Sequence, residues 1–334
     1  MKQKILIITD AWEPQVNGVV RTLKTTVQHL IEKDYDVFVI HPQMFCSVPL
    51  PGYNEIRLSL FPRRRVGKLI KEFCPDYIHI STEGPLGWAA RNYCVKHKLG
   101  FSTAYHTMFP EYVNIRWGLP ASWGYSVVRK FHKPAGRVMV ATQALKEQLQ
   151  LHSFKNSFGE WTRGVDHEMF HPKRRTASAR PYALYVGRVS HEKNLEAFLS
   201  LDLPDLDKIV IGKGPHLEAL RARFPKTFFI GERKGEELAT YYASAEVFVF
   251  PSKTDTFGLV MIESLASGTP VAAYDVANTR AILYKTTGAC EEDLGVAITN
   301  ARKLSRNMCR LAGTTWTWQR ATGQFLANLV PAYP

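Results

Sequence analysis

Phe250-Pro251-Ser252-Lys253-Thr254-Asp255-Thr256-Phe257-Gly258-Leu259-Val260-Met261-Ile262-Glu263 is the stretch on which the fold turns. An apolar run ending at Phe250 stops at a proline, a polar loop follows, and an apolar helical pattern opens near Gly258. A strand that hands over to a helix through a short loop is the repeating unit of a parallel α/β sheet.

Working outward, the unit recurs. Strands are expected at 182–187, 208–211, 227–230, 247–250 and 270–273, with helices from Glu192, His216, Gly235 and Gly258. Five such units predict a Rossmann-like domain over 182–315. The first half reads the same way. A strand at 4–9 leads through a loop to Gly18, and Val19, Val20, Leu23, Val27, Leu30 and Ile31 follow at helical spacing. Further strands are expected at 36–40, 77–80, 101–105 and 138–141, and helices at 67–73, 86–96 and 143–151, giving a second Rossmann-like domain over 1–165. Residues 166–181, with two prolines and Lys173-Arg174-Arg175, have the composition of a linker. Helices are expected at 294–308 and 317–329, and the segment 316–334 is a candidate to cross back onto the first domain.

The chain of 334 residues is long enough for two such domains, and 45% hydrophobic with 22% charged residues is a globular composition. The apolar run before Thr9-Asp10 is too short for a leader or a membrane span, which points to the cytoplasm. Five cysteines, widely spaced and without a CxxC pair, predict reduced structural thiols and no metal cluster. A net charge of +13 favours polyanions: nucleotides, nucleic acid or an anionic membrane. Interleaved RNA-binding signatures are absent, so no nucleic-acid partner is expected.

The loop before Gly258 carries the chemistry. Unsatisfied N–H groups at a helix start attract phosphate, and a glycine there admits the anion to the backbone. Glu263, about one and a half turns on, can accept hydrogen bonds from both hydroxyls of a ribose. Asp255 could do the same for sugar hydroxyls; the competing reading is that Asp255 or Thr256 merely caps the helix and Glu263 faces solvent. Arg188 and Lys193, in Val186-Gly187-Arg188-Val189-Ser190-His191-Glu192-Lys193-Asn194-Leu195, flank another strand-to-helix turn where two cations could face a diphosphate.

Asp255 and Glu263, continued by Ser264-Leu265-Ala266-Ser267-Gly268-Thr269-Pro270-Val271, resemble the acidic-x7-acidic motif of the family 4 glycosyltransferases (GT4) of the GT-B fold. Thr254-Asp255-Thr256-Phe257-Gly258 is similar to the phosphatidylinositol mannosyltransferase, sulfolipid synthase and GDP-mannose-dependent mannosyltransferase branch. The resemblance runs from about Ile5 to Leu294 and implies two Rossmann-like domains facing a cleft between them. It makes residues 255–259 (Asp255, Thr256, Phe257, Gly258, Leu259), Glu263, Arg188 and Lys193 donor-binding, with Arg188 and Lys193 stabilising the leaving diphosphate. In the first domain, Thr9-Asp10-Ala11-Trp12-Glu13-Pro14-Gln15-Val16-Asn17-Gly18 matches the loop that approaches the donor phosphates, which carries to Gly18 and Asn17. Tyr105-His106-Thr107-Met108-Phe109-Pro110-Glu111-Tyr112 resembles the segment whose histidine sits beside the transferred sugar, which carries to His106; Met108 stands where the branch has arginine. Glu83, Glu111, Tyr112 and Arg163 match at positions near the acceptor or cleft. Lys213 and Ala277-Asn278-Thr279 depart from the family pattern.

The reaction so implied is retaining transfer of a hexose from a nucleotide sugar, needing no cofactor and no metal. GDP-mannose is the preferred donor, with UDP-hexoses as the alternative, and a lipid or glycan hydroxyl is the acceptor. A noncatalytic nucleotide-sugar binder, an epimerase and a phosphorylase are rival readings on the same fold. Arg63-Arg64-Arg65, Lys68 and Lys71, with Trp117, Trp123, Tyr125, Arg129, Lys130, Phe131 and Lys133, form either a surface for the inner face of an anionic membrane or, for the aromatics, core.

Overall fold

The computed structural model describes residues 2–50, 53–111, 118, 120–178 and 180–333. It divides into two compact units, Met1–Thr162 with Trp318–Pro334, and Arg163–Thr317. Each holds a six-stranded, all-parallel sheet.

In the first unit β1 (Lys4–Ile8), β2 (Asp36–Ile40), β5 (Tyr77–Ile80), β6 (Ser102–Ala104), β7 (Arg137–Val140) and β8 (Phe158–Glu160) run in the order β2-β1-β5-β6-β7-β8. Strand β1 is buried on both faces, so its apolar run is continuous rather than alternating. Ile5 and Ile7 pack with Leu23, Leu30 and Trp161, while Leu6 and Ile8 pack on the other side with Ile70, Ile78, Leu86 and Phe131. The covering helices are α1 (Gly18–Glu32), α2 (Arg63–Phe73), α3 (Pro85–His97), α4 (Ala121–His132) and α5 (Gln143–Leu151). An antiparallel hairpin, β3 (Ser47–Leu50) with β4 (Tyr53–Ser59), lies apart from the sheet.

In the second unit β9 (Tyr182–Val186), β10 (Asp207–Ile211), β11 (Phe228–Gly231), β12 (Val247–Phe250), β13 (Val271–Tyr274) and β14 (Gly288–Glu291) are ordered β11-β10-β9-β12-β13-β14. Its helices are α6 (Leu195–Leu199), α7 (Leu217–Arg223), α8 (Gly235–Ser244), α9 (Leu259–Ala266), α10 (Ala277–Arg280), α11 (Leu294–Ala301) and α12 (Arg306–Gly313). The order reverses between β9 and β12, and in the first sheet between β1 and β5; crevices at the carboxyl ends of such strand pairs are where open α/β sheets take ligands.

The segment 318–333 returns to the first unit. Helix α13 (Trp318–Ala327) places Phe325 against Trp161, and Gln324 Oε1 accepts from Thr162 N at 2.9 Å. Residues 166–181 count within the second unit, whose chain starts at Arg163.

Three expectations need correcting. The helix over 294–308 is two helices, because Ser305 caps a new start by accepting from Met308 N. The helix from Glu192 is one 3-10 turn, His191–Lys193, then the short α6, with Asn194 between them at φ 55. Strand β14 makes the second sheet six-stranded, not five.

Candidate functional site

The loops after β9 and β12 meet at the reversal point of the second sheet. Lys193 Nζ pairs with Asp255 Oδ1, the two side chains being only 20% and 16% exposed. Asn194 Nδ2 donates to Pro251 O at 3.3 Å, Thr254 Oγ1 to Glu192 O at 3.4 Å, and Asn278 Nδ2 to Asp255 O at 3.0 Å. Arg188 is half-buried in the same β9 loop, and its carbonyl accepts from Tyr185 Oη at 2.8 Å.

Gly258 stands at the N-cap of helix α9, and its φ of 83° is a left-handed conformation that suits glycine. A Cβ there would lie 2.9 Å from both Phe250 Cζ and Met261 Cε. The N-cap position of α9 is Gly258, which offers no side chain, and Asp255 Oδ1 faces Lys193. Thr256 and Phe257 are buried, the phenyl ring lying edge-on to Trp316, so what they present to a ligand is backbone. Leu259 opens the helix. Glu263 is not a solvent-facing residue: it is 3% exposed and its Oε2 accepts from Tyr242 Oη at 3.0 Å.

The loop after β10 supports the β9 loop from the other side. A Cβ on Gly212 would stand 1.9 Å from Gly187 O, and one on Gly214 2.2 Å from Val189 O, so both glycines permit the contact. Val189 N donates to Lys213 O at 2.9 Å, a backbone bond that any residue can make, while the Lys213 side chain points out toward Glu232 at 3.7 Å. The departure at Lys213 therefore leaves the loop intact.

In the first unit Asn17 caps α1, its Oδ1 accepting from Val19 N and Val20 N at 3.0 Å, and Gly18 is the exposed first helical residue. Asp10, which has no separate role among the sequence expectations, stands just past the carboxyl end of β1. It accepts from Leu86 N, Gly87 N and Thr82 Oγ1 at 2.9, 3.2 and 2.9 Å, capping α3 from a neighbouring loop. Burial pushes its carboxyl up to about 6. Glu83 Oε1 lies 3.1 Å from His132 Nε2, and Thr103 Oγ1 is 2.8 Å from His132 Nδ1. His106 is buried, its ring edge-on to Trp161 at 5.3 Å.

Glu111 Oε1 accepts from Tyr125 Oη and from Gln148 Nε2, an internal triad that no local sequence signal announced. Tyr112 and Trp117 lie outside the described residues. Arg163 is buried above the Phe257 ring, which brings its guanidinium down to about 9 through loss of hydration.

The basic and aromatic set separates cleanly. Tyr125 and Phe131 are core, because residues 125, 128 and 131 share the inner face of α4. Trp123 is 55% exposed, and Phe61, ahead of the exposed Arg63, Arg64 and Arg65, is 94% exposed. Among the described residues no helix is long and apolar enough to cross a membrane, no group of three or more His, Cys, Asp or Glu residues is arranged to hold a metal, and all five cysteines are free thiols.

Two parallel-sheet units, the second with a charged loop pair and a glycine-led helix start at its reversal point, define an α/β protein of the GT-B class. The comparisons specify it further. Residues 16–169 match the family described as Glycosyltransferase Family 4, and residues 180–313 match Glycosyl transferases group 1. A GDP-mannose-dependent alpha-mannosyltransferase of Mycolicibacterium smegmatis is 30% identical over 308 residues, covering 83% of this chain and 81% of the relative. A sulfoquinovosyl transferase of Arabidopsis thaliana is 33% identical over 268 residues, covering 75% of this chain; the match spans 52% of that relative. The solved sucrose-phosphate synthase from Thermosynechococcus elongatus superposes with a TM-score of 0.78 at 19% identity over 98% of both chains, a likeness of fold. The chain belongs to glycosyltransferase family 4 and is a glycosyltransferase that uses a nucleotide sugar.

Proposed function

We propose that the enzyme transfers a hexose, mannose from GDP-mannose in the first instance, to a hydroxyl of a membrane lipid or glycan with retention of anomeric configuration. The observation that carries this reading is the stapled pair of loops at the β9/β12 reversal point, where Lys193, Asp255 and the glycine-led start of α9 come together. Arg188, Lys193 and the N–H groups following Gly258 take the donor diphosphate and the charge that develops on it as the glycosidic bond breaks. Glu263 takes the ribose diol and Asp255 the hexose hydroxyls, its position fixed by Lys193. On motif position alone, we assign His106 to the transferred sugar and Gly18 to the donor phosphates. The leaving phosphate removes the acceptor proton, so the scheme assigns no protein nucleophile.

The side-chain cations do the work that a divalent ion does in other transferases, so the proposal includes metal-independent turnover. A UDP-hexose donor is the second reading, kept in view by the sulfoquinovosyl relative, which transfers a different sugar. We also place the enzyme in the cytoplasm, peripheral on an anionic membrane face, with Phe61 entering the interface and Arg63, Arg64 and Arg65 meeting lipid phosphates.

A thermal-shift panel of GDP, UDP and ADP sugars tests the donor. The true donor at a hundred times its Kd stabilises the fold by about 2.7 kcal/mol. Stabilisation by UDP-glucose and not by GDP-mannose would overturn the mannose assignment. Donor hydrolysis undiminished in Arg188→Ala and Glu263→Ala would overturn the site.

A further inference from the structure

Tyr242 carries no role in the scheme above, yet it is the most completely enclosed polar aromatic beside the candidate donor site. It sits in α8 with no exposed surface, its ring edge-on to Phe170 at 5.7 Å and tilted against Phe248 at 5.4 Å. Its hydroxyl donates to Glu263 Oε2 at 3.0 Å inside the core. Its backbone is fixed as well: Tyr242 O accepts from Thr269 Oγ1 at 2.6 Å, and Thr269 Oγ1 accepts from Arg306 Nη2 at 2.8 Å. The same Arg306 donates to Ala243 O and Ala245 O, the carbonyls that close α8. Helix α12, which carries Arg306, also packs Gly313 against the Ala266 backbone at the far end of α9, so closely that a Cβ there would lie 2.4 Å from Ala266 N.

Tyr242 and Glu263 thus stand on two helices whose ends are tied to one α12. A hydrogen bond donated to a buried carboxylate favours its charged form, and the carboxylate's orientation follows that donor. We propose that Tyr242 is the positioning residue of the donor site: its hydroxyl orients Glu263 and favours the charged form, so that the carboxylate accepts the ribose diol. The proposal rests on the reading of Glu263 as the ribose ligand. It also gives a reason for the Gly268-Thr269-Pro270 turn, whose threonine links Arg306 to the tyrosine.

The test compares Kd values for GDP and UDP with those for their 2′,3′-dideoxy counterparts, by calorimetry, in the unaltered enzyme, Tyr242→Phe and Glu263→Gln. The unaltered enzyme should prefer the ribose form by at least about tenfold, the worth of hydrogen bonds to a charged acceptor. Glu263→Gln should lose that preference. Tyr242→Phe should cut it to roughly threefold or less and move the acidic limb of the binding profile to higher pH, because removing a donor makes the carboxylate easier to protonate. A merely structural tyrosine would weaken ribose and dideoxyribose forms alike and leave the acidic limb in place.

Full ribose preference in Tyr242→Phe, with the preference lost in Glu263→Gln, would overturn the role of Tyr242 and leave the ribose reading standing. Full preference retained in Glu263→Gln would overturn both. Should Tyr242→Phe fail to fold, 3-fluorotyrosine at position 242 keeps the ring and strengthens the donor. It should shift the acidic limb to lower pH, and an unmoved limb would overturn the proposal.

Discussion

Replacing Gly258 by alanine perturbs the start of α9 without changing any charge. Alanine at φ 83° takes on the left-handed penalty of about 1–2 kcal/mol. Its Cβ would also lie 2.9 Å from Phe250 Cζ and Met261 Cε. The methionine methyl can swing aside, but the phenylalanine ring is core, so the overpacking term falls near the low end of its usual range of about 1–3 kcal/mol. The sum is roughly 2–3 kcal/mol, which for a unit of this size lowers the melting temperature by about 4–12 °C. Calorimetric melting and nucleotide binding read the two consequences together, and donor affinity should fall at least about tenfold as the first-turn N–H groups shift. Gly323→Ala is the control: nothing lies within 4 Å of its added Cβ, and alanine in the α13 helix should stabilise by about 0.5–1 kcal/mol. A Gly258→Ala enzyme that melts within about one degree of the parent and binds nucleotide equally well would refute the reasoning.

Asp10 predicts a pH dependence with a definite sign. Its folded pKa of about 6 lies above the ordinary value of 3.8, so stability is full below that lower value and is lost as pH rises through 6. The loss is about 3 kcal/mol, and melting curves of Asp10→Asn should lack this slope between pH 4 and 6. Arg306→Ala removes donors to Ala243 O, Ala245 O and Thr269 Oγ1, which should cost about 3 kcal/mol in urea unfolding; a loss below about 1 kcal/mol would show those bonds to be replaceable by water. Transfer should proceed in EDTA at an undiminished rate, and activity abolished there and restored by magnesium would sink the metal-independent scheme. Co-sedimentation with anionic vesicles should fall about tenfold or more in a Phe61→Ser, Arg64→Glu variant, and binding unchanged by these substitutions would dissociate that surface from the membrane.

Much of the fold was legible because fully buried parallel strands are short apolar runs with sharp ends. Val247–Phe250 and Lys4–Ile8 carry their signal within themselves. Strand β14, reading Gly-Ala-Cys-Glu, does not, because it owes its place to pairing with β13 rather than to composition. Strand β8, Phe-Gly-Glu, was invisible for the same reason, being placed by β7, while the β3–β4 hairpin joins neighbouring segments that carry no continuous apolar run. At the candidate site, motif position located Lys193 and Asp255, and their pairing across 62 positions is a fact of sheet order that spacing cannot express. Tyr242 and His132 carry no local signal at all: each is an ordinary aromatic on an apolar helix face until the fold sets a carboxylate against it. Asn17 shows the reverse, since the commonest local role of its residue type, a helix cap, is the one its side chain performs.

The return of the chain at Trp318 makes the second unit an insertion within the first. Phe325 completes the face of the first sheet that holds Ile5, Ile7 and Trp161, and Asn328 Nδ2 donates to Glu160 O at 2.7 Å. On the ribosome, therefore, the unit that is begun first is finished last. The face that α1 covers with Leu23 and Leu30 waits for its last piece while the whole of the inserted unit is synthesised, and the arrival of α13 completes it. Any attempt to express the first unit alone must restore that order by joining Thr162 to the segment that starts at Trp318, because a chain cut at 162 would leave Trp161 and its neighbours without Phe325.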